Sequence, residues 1–193
     1  MTQEIIRMSK DIIFEEAFKG VNNLVKGHYD NCTFSNCEFA NSDLFDCNFT
    51  ECVFDNCDLS NAKIDATAFR DVTFKNCKLL GLRFDNCNPF LLAFEFSNCN
   101  LSFSSFYKLK IRNTTFRNCI LQEVEFIEAD LTGAEFDKCN LDRAIFENSI
   151  LIKADFRTSS NYSINPEINQ LTKAKFTASG LAGLLDKYNI EIS

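Results

Sequence analysis

From Asn31 to Leu59 the chain divides into fives: NCTFS, NCEFA, NSDLF, DCNFT, ECVFD, NCDLS. A large apolar residue holds the fourth place of each, with a small residue two places before it. These large residues, the centres, run without a slip through Phe34, Phe39, Leu44, Phe49, Phe54, Leu59, Ile64, Phe69, Phe74, Leu79 and Phe84. Two extra residues enter near Asn88 to Phe90. The count then resumes at Leu91 and continues through Phe96, Leu101, Phe106 and Ile111 to Phe156. A period of five suits neither a strand, which alternates every two residues, nor a helix of period 3.6. It calls for a solenoid, in which each unit buries its apolar face only against its neighbours.

Four fives make twenty, and at twenty the centres sort into columns. Phe34, Phe54, Phe74, Phe96, Phe116, Phe136 and Phe156 form the first side, entirely phenylalanine. The second runs from Phe39 to Leu141, the third from Leu44 to Phe146, and the fourth through Phe49, Phe69, Leu91, Ile111, Leu131 and Leu151. One coil per twenty residues stacks like side chains at about 4.8 Å, the spacing of adjacent strands. The pattern resembles the pentapeptide-repeat family, whose members fold as a right-handed quadrilateral parallel β-helix with centre and small residue both inward. The resemblance covers about residues 29–156. It implies an all-β solenoid of about six to seven coils over 29–176, with residues 1–28 as a partial coil or cap and 177–193 as a tail with a short α-helix. Asn31, Asn36, Asn56, Asn76, Asn86, Asn98 and Asn118 fall at corners, where asparagine tolerates unusual backbone angles.

Ten cysteines invite a disulfide or zinc reading, but the register assigns them to the small inward place. Six of them, Cys37, Cys57, Cys77, Cys99, Cys119 and Cys139, make one ladder up the second side, where a free thiol serves as a compact hydrophobe. Parallel side chains do not turn toward each other as a disulfide requires. Zinc needs four converging ligands, and the chain has one histidine, His28, expected to be solvated or structural. Reduced thiols imply a reducing compartment. MTQEIIRMSKD carries no signal-peptide pattern, and no apolar run approaches the length of a membrane span. The expectation is a cytoplasmic protein with no membrane partner.

Net charge is −7. By side, the third gathers Asp43, Asp46, Asp65, Asp85, Glu125 and Glu128, with Glu147, against Lys63, Arg83 and Lys108: a candidate acidic surface for a basic partner. The fourth is near neutral and presents Phe90, Leu92, Ile150 and Ile152, a candidate apolar surface. No basic groove with interleaved aromatics exists, so direct nucleic-acid binding is not expected. No carboxylate pair, triad or phosphate loop stands out. Catalytic, cofactor-binding and metal-binding residues are therefore expected to be none.

At the ends the pattern loosens. Phe14, Leu24 and Tyr29 keep the spacing whereas Lys19 breaks it, and after an irregular 157–170 the centres return at Leu171 and Phe176. Ser179 then caps an expected helix to Tyr188, with Leu181, Leu184, Leu185 and Tyr188 on one face. Ile190 and Ile192 would add a short strand. Two such tails meeting across a two-fold axis would bury the stripe and block an open sheet end, so a homodimer is expected. LAGLLDKYNIEIS resembles the tails of the pentapeptide-repeat proteins that protect type II topoisomerases from quinolones. That resemblance implies a non-enzymatic, dimeric acidic rod that mimics a DNA duplex on the DNA-binding surface of gyrase or topoisomerase IV. The alternative is a general interaction scaffold whose partner meets the fourth side.

Overall fold

A computed structural model of the chain describes residues 12–191. The chain turns a corner two residues after nearly every centre, and there the backbone enters the left-handed region. Asn31, Asn36, Asn56, Asn76, Asn98 and Asn118 do so with φ between 51° and 55°. Asparagine takes that conformation at low cost. Asn86, also expected at a corner, instead closes a 3-10 turn over Phe84–Asn86. At Gly81 and Gly133 a second reason applies, because a Cβ there would strike the side-chain oxygen of Asn61 or Asn113, one coil away.

Between corners the segments are too short for anything but rungs of three or four residues or single bridges, and all of them pair in parallel. One sheet stacks β1 (Ile12–Phe14), β3 (His28–Asp30), β5 (Asn48–Thr50) and β7 (Ala68–Arg70). A longer sheet stacks β2 (Ala17–Lys19), β4 (Thr33–Ser35), β6 (Val53–Asp55), β8 (Val72–Lys75), β9 (Phe94–Ser97), β10 (Thr115–Arg117) and β11 (Glu135–Asp137). The remaining sides pair through single bridges such as Glu38 to Asp58 and Glu125 to Ile145. The result is the expected four-sided all-parallel β-solenoid, with six turns between Phe34 and Phe156, five of twenty residues and one, from Phe74 to Phe96, of twenty-two.

The core is the inside of this square tube. The phenylalanine column stacks from Phe18 to Phe176 with ring centroids 4.6–5.4 Å apart and planes within 17°. Rings from the facing third side meet this column edge-on, as Phe106 and Phe126 meet Phe116, and in the early coils the adjacent fourth side does the same, as Phe49 meets Phe54. Each fully buried ring contributes about 1.5–3 kcal/mol by leaving water. All ten cysteines are buried and unbridged. Their thiols point at backbone carbonyls, Cys57 Sγ lying 3.3 Å from the Phe34 oxygen.

Two breaks in the pattern differ from the count by fives. In the first coil, Ile13 pairs with Tyr29 and Phe18 with Phe34, a spacing of sixteen rather than twenty. Phe14 is therefore outside, and the inward places belong to Ile13 and Phe18. The missing four residues fall between Val21, which still receives the Glu38 N–H, and Gly27, which receives that of Asn48.

The second break is the insertion. The fourth-side register holds through Asn88, bonded to the Thr67 oxygen, so the next centre falls on Pro89. Regular centres there donate a backbone N–H to the following coil, as Ile111 does to Asp130, and proline has none to give. The chain bulges through an Asn88 turn that holds the Phe90 N–H at 3.0 Å, and it rejoins the stack at Ala93. Leu91, expected inside, is exposed with φ 57°. Phe94 fills the vacated volume from a small-residue place, its ring 5.1 Å from Phe84 and 5.6 Å from Phe69.

Candidate functional surfaces

The third side brings the expected acids onto one outward surface, but it also brings their partners. Arg83 grips Asp85 with two hydrogen bonds of 3.1 and 2.8 Å. Lys108 lies 3.5 Å from Glu128, which also accepts from the Tyr107 hydroxyl, and Lys26 lies 4.0 Å from Asp43. Asp65 accepts from the Asn86 amide at 2.9 Å. Among the described residues, Asp46 and Glu125 form no ion pair. The side is thus a mosaic of compensated and bare carboxylates rather than a uniform anionic strip. The compensation carries a signal legible in the sequence: the pairs Asp58–Lys78, Lys108–Glu128, Arg117–Asp137, Glu123–Arg143, Asp155–Lys175 and Glu167–Lys187 are each twenty residues apart, one coil. Exposed pairs of this kind contribute only about 0–1 kcal/mol each. Asp155 is the strongest case, since hydrogen bonds from Arg157, with Lys175 added, hold its pKa down to about 2.

The fourth side does not assemble the expected apolar surface. Phe90 stands out on the bulge with Arg70 over its ring at 5.9 Å. Leu92, expected outward, packs half-buried against the core. Ile150 and Ile152 are half-buried and lie three coils from Phe90, or about 14 Å at strand spacing. The buried Asp130 carboxylate intervenes, held by Arg112 at 2.6 Å. The exposed apolar residues of this side fall instead in two separate places, Ile12 and Phe14 on the first coil and the Phe90–Leu91 bulge.

At the C-terminus, helical backbone runs from Ser179 to Tyr188, with α1 (Ala182–Leu185) between two 3-10 turns. Thr177, not Ser179, caps it, accepting the Gly180 N–H at 3.1 Å. Gly180 and Gly183 let the helix lie directly on Tyr162, whose hydroxyl and carbonyl oxygens a Cβ at either place would strike. The Ile164 N–H donates to the Gly183 oxygen at 2.9 Å, and Glu167 takes both Lys187 and the Tyr188 hydroxyl. The predicted stripe divides: Leu184 packs toward the core, while Leu181, Leu185 and Tyr188 are exposed. Ile190 is exposed and forms no strand, and Ile192 lies outside the described residues. Between this helix and the loop at Arg157–Ser163 opens a polar cleft of about 730 Å³.

No reactive constellation accompanies these surfaces. Among the described residues, no three His, Cys, Asp or Glu side chains are grouped to hold a metal ion. His28 is exposed on β3. Burial pushes the Cys52 thiol up to about 12, which keeps it protonated and inert. No helix among the described residues is long and apolar enough to cross a membrane.

No curated protein matches the sequence significantly. Among solved structures, a trypsin-treated variant of QnrB1, a plasmid-mediated fluoroquinolone resistance protein, is 20% identical with a TM-score of 0.49, over 95% of this chain and 100% of that one. Full-length QnrB1 gives 20% identity and a TM-score of 0.47 over 93% and 100%. HetL, a pentapeptide repeat protein involved in heterocyst differentiation regulation from the cyanobacterium Nostoc sp. strain PCC 7120, gives 15% and 0.34 over 85% and 84%. The sequence profile described as pentapeptide repeat region matches residues 27–95, 47–126 and 91–184. With rungs, corners and inward columns all following that repeat, the chain belongs to the pentapeptide repeat family.

Proposed function

We propose that this protein is a non-enzymatic binding rod whose third side meets a basic protein surface, and that this surface is the DNA-binding face of a type II topoisomerase. The observation that carries the reading is the gathering of Asp43, Asp46, Asp65, Asp85, Glu125 and Glu128 on one side of the tube, spread over adjacent columns, with Asp46 and Glu125 outside the ion pairs that engage Asp43, Asp85 and Glu128. The likeness of LAGLLDKYNIEIS to quinolone-protecting tails supports the choice of partner. In this reading Leu181, Leu185 and Tyr188 join two copies, and Leu184 serves its own coil. The decisive experiment is a gyrase supercoiling assay with rising protein, with and without a quinolone, run beside the variant D46N/E125Q. Inhibition or drug rescue at micromolar protein, weakened in the variant, is the expected result. No effect of the parent in either arm removes the topoisomerase reading. The Phe90–Leu91 bulge supports a second reading, an interaction scaffold of the cytoplasm that presents an apolar knob on its fourth side.

A further inference from the structure

The third side contains a recess that neither the count of acids nor the tail accounts for. Its floor is Ser105, the one short side chain in a column that runs Arg83, Ser105, Glu125, Ile145. Its wall is the neighbouring corner, where Phe103 and Glu123 stand on successive coils. Together with Arg143 these residues enclose about 410 Å³, open to solvent.

Two observations give the recess a chemistry. The arginines at its rim are already committed, Arg83 to Asp85 and Arg143 to Glu123 at 3.0 Å and Asp142 at 3.5 Å. Glu125, half-buried between them, has no cation within ion-pair distance among the described residues. Independently, four outward rings carry a cation from this chain: Lys26 over Phe45 at 4.6 Å, Arg70 over Phe90 at 5.9 Å, Lys108 over Tyr107 at 4.7 Å and Lys187 over Tyr188 at 4.6 Å. Phe103, more than half exposed, carries none. A bare aromatic face beside a bare carboxylate is the pairing that recognises a guanidinium or ammonium group.

We propose that this recess receives an arginine side chain from the basic partner, the guanidinium stacking on Phe103 and hydrogen-bonding Glu125. The proposal rests on the reading of the third side as the surface for a basic partner and names the anchor within it.

The test uses a tetra-arginine peptide, with spermine as a flexible polycation control, titrated into the isotopically labelled full chain. Phe103→Asn suits the experiment because asparagine is at home at φ 64°, so the fold is kept while the ring is lost. The peptide is expected to shift the signals of Phe103, Glu125 and Ile145. Glu125→Gln should weaken it about tenfold, Phe103→Asn about three- to tenfold, and Glu95→Gln on the first side less than about twofold. Spermine should lose less than the peptide does at Phe103→Asn, because an ammonium neither stacks in plane on the ring nor forks onto the carboxylate. Equal losses in Glu125→Gln and Glu95→Gln, or indifference of the peptide to Phe103→Asn, would overturn the anchor. Gyrase inhibition by the parent would leave the wider reading standing in either case.

Discussion

Leu91 and Leu131 hold the same place in the count by fives, and one is out in solvent while the other is fully buried. The turn leading to Leu131 is regular: Asp130 bridges to Ile150, and the Leu131 N–H donates to the Ile150 oxygen at 2.8 Å. In the turn leading to Leu91 the equivalent donor is missing, because Pro89 stands at the centre place. One absent hydrogen bond costs little by itself. Its effect is to free the four residues from Pro89 to Leu92 from the rung, and the apolar pattern within them no longer decides which side they face. Periodicity therefore specifies burial only where the backbone can complete its ladder.

The largest test of this contrast is Leu131→Asn. It removes a buried side chain and buries an unpaired amide, so a loss of about 4 kcal/mol or more is expected in denaturant unfolding. A loss below about 1 kcal/mol would mean that the regular coils are not packed as described. Next is Phe94→Cys, which restores a residue typical of its place elsewhere in the column (Cys32, Cys52, Val72, Thr114, Ala134, Ala154). It should cost about 3 kcal/mol, since here the ring substitutes for the absent fourth-side centre. A neutral result would mean that the bulge can refill the core from Leu91 or Leu92.

A smaller effect is expected at Asp155. Its pKa of about 2 lies below the ordinary carboxylate value, so its contribution is present above about pH 4 and is lost as pH falls toward 2. Asp155→Asn should therefore be less stable than the parent at pH 7, and the gap should narrow in unfolding curves taken at pH 3. A gap that widens at low pH would reverse the assignment. Smallest of all is Leu91→Asn, expected within about 0.5 kcal/mol of the parent because an exposed left-handed corner suits asparagine better than leucine.

Much of this architecture is legible in the sequence because the repeat ties each residue to a side. The phenylalanine column, the thiol ladder and the corner asparagines follow from spacing alone. What escaped the count has separate physical causes. The first coil is four residues short between Val21 and Gly27, which moves the inward places to Ile13 and Phe18 and turns Phe14 out. The two extra residues near Asn88 to Phe90 are visible in the count, but not that Pro89 takes the centre place, which turns Leu91 out and brings Phe94 in. The third side's acids and its three opposing cations are both in the count; which carboxylates those cations reach is not, because Lys108 and Glu128 are twenty residues apart in the chain but side by side on the rod. The helix cap passed from Ser179 to Thr177 because the helix rests on Tyr162 through Gly180 and Gly183, a packing constraint that no local propensity contains.

The bulge also bears on how such a rod can change length and content. Thr73 pairs with Glu95 and Phe74 with Phe96, so the two additional residues are absorbed within a single corner and every later coil is in step. A solenoid built this way confines an insertion to the place where it occurs. The corner at Pro89–Leu91 is accordingly a natural splice junction, where a longer foreign segment can be carried on the wall of the tube while the coils on either side continue their own stack.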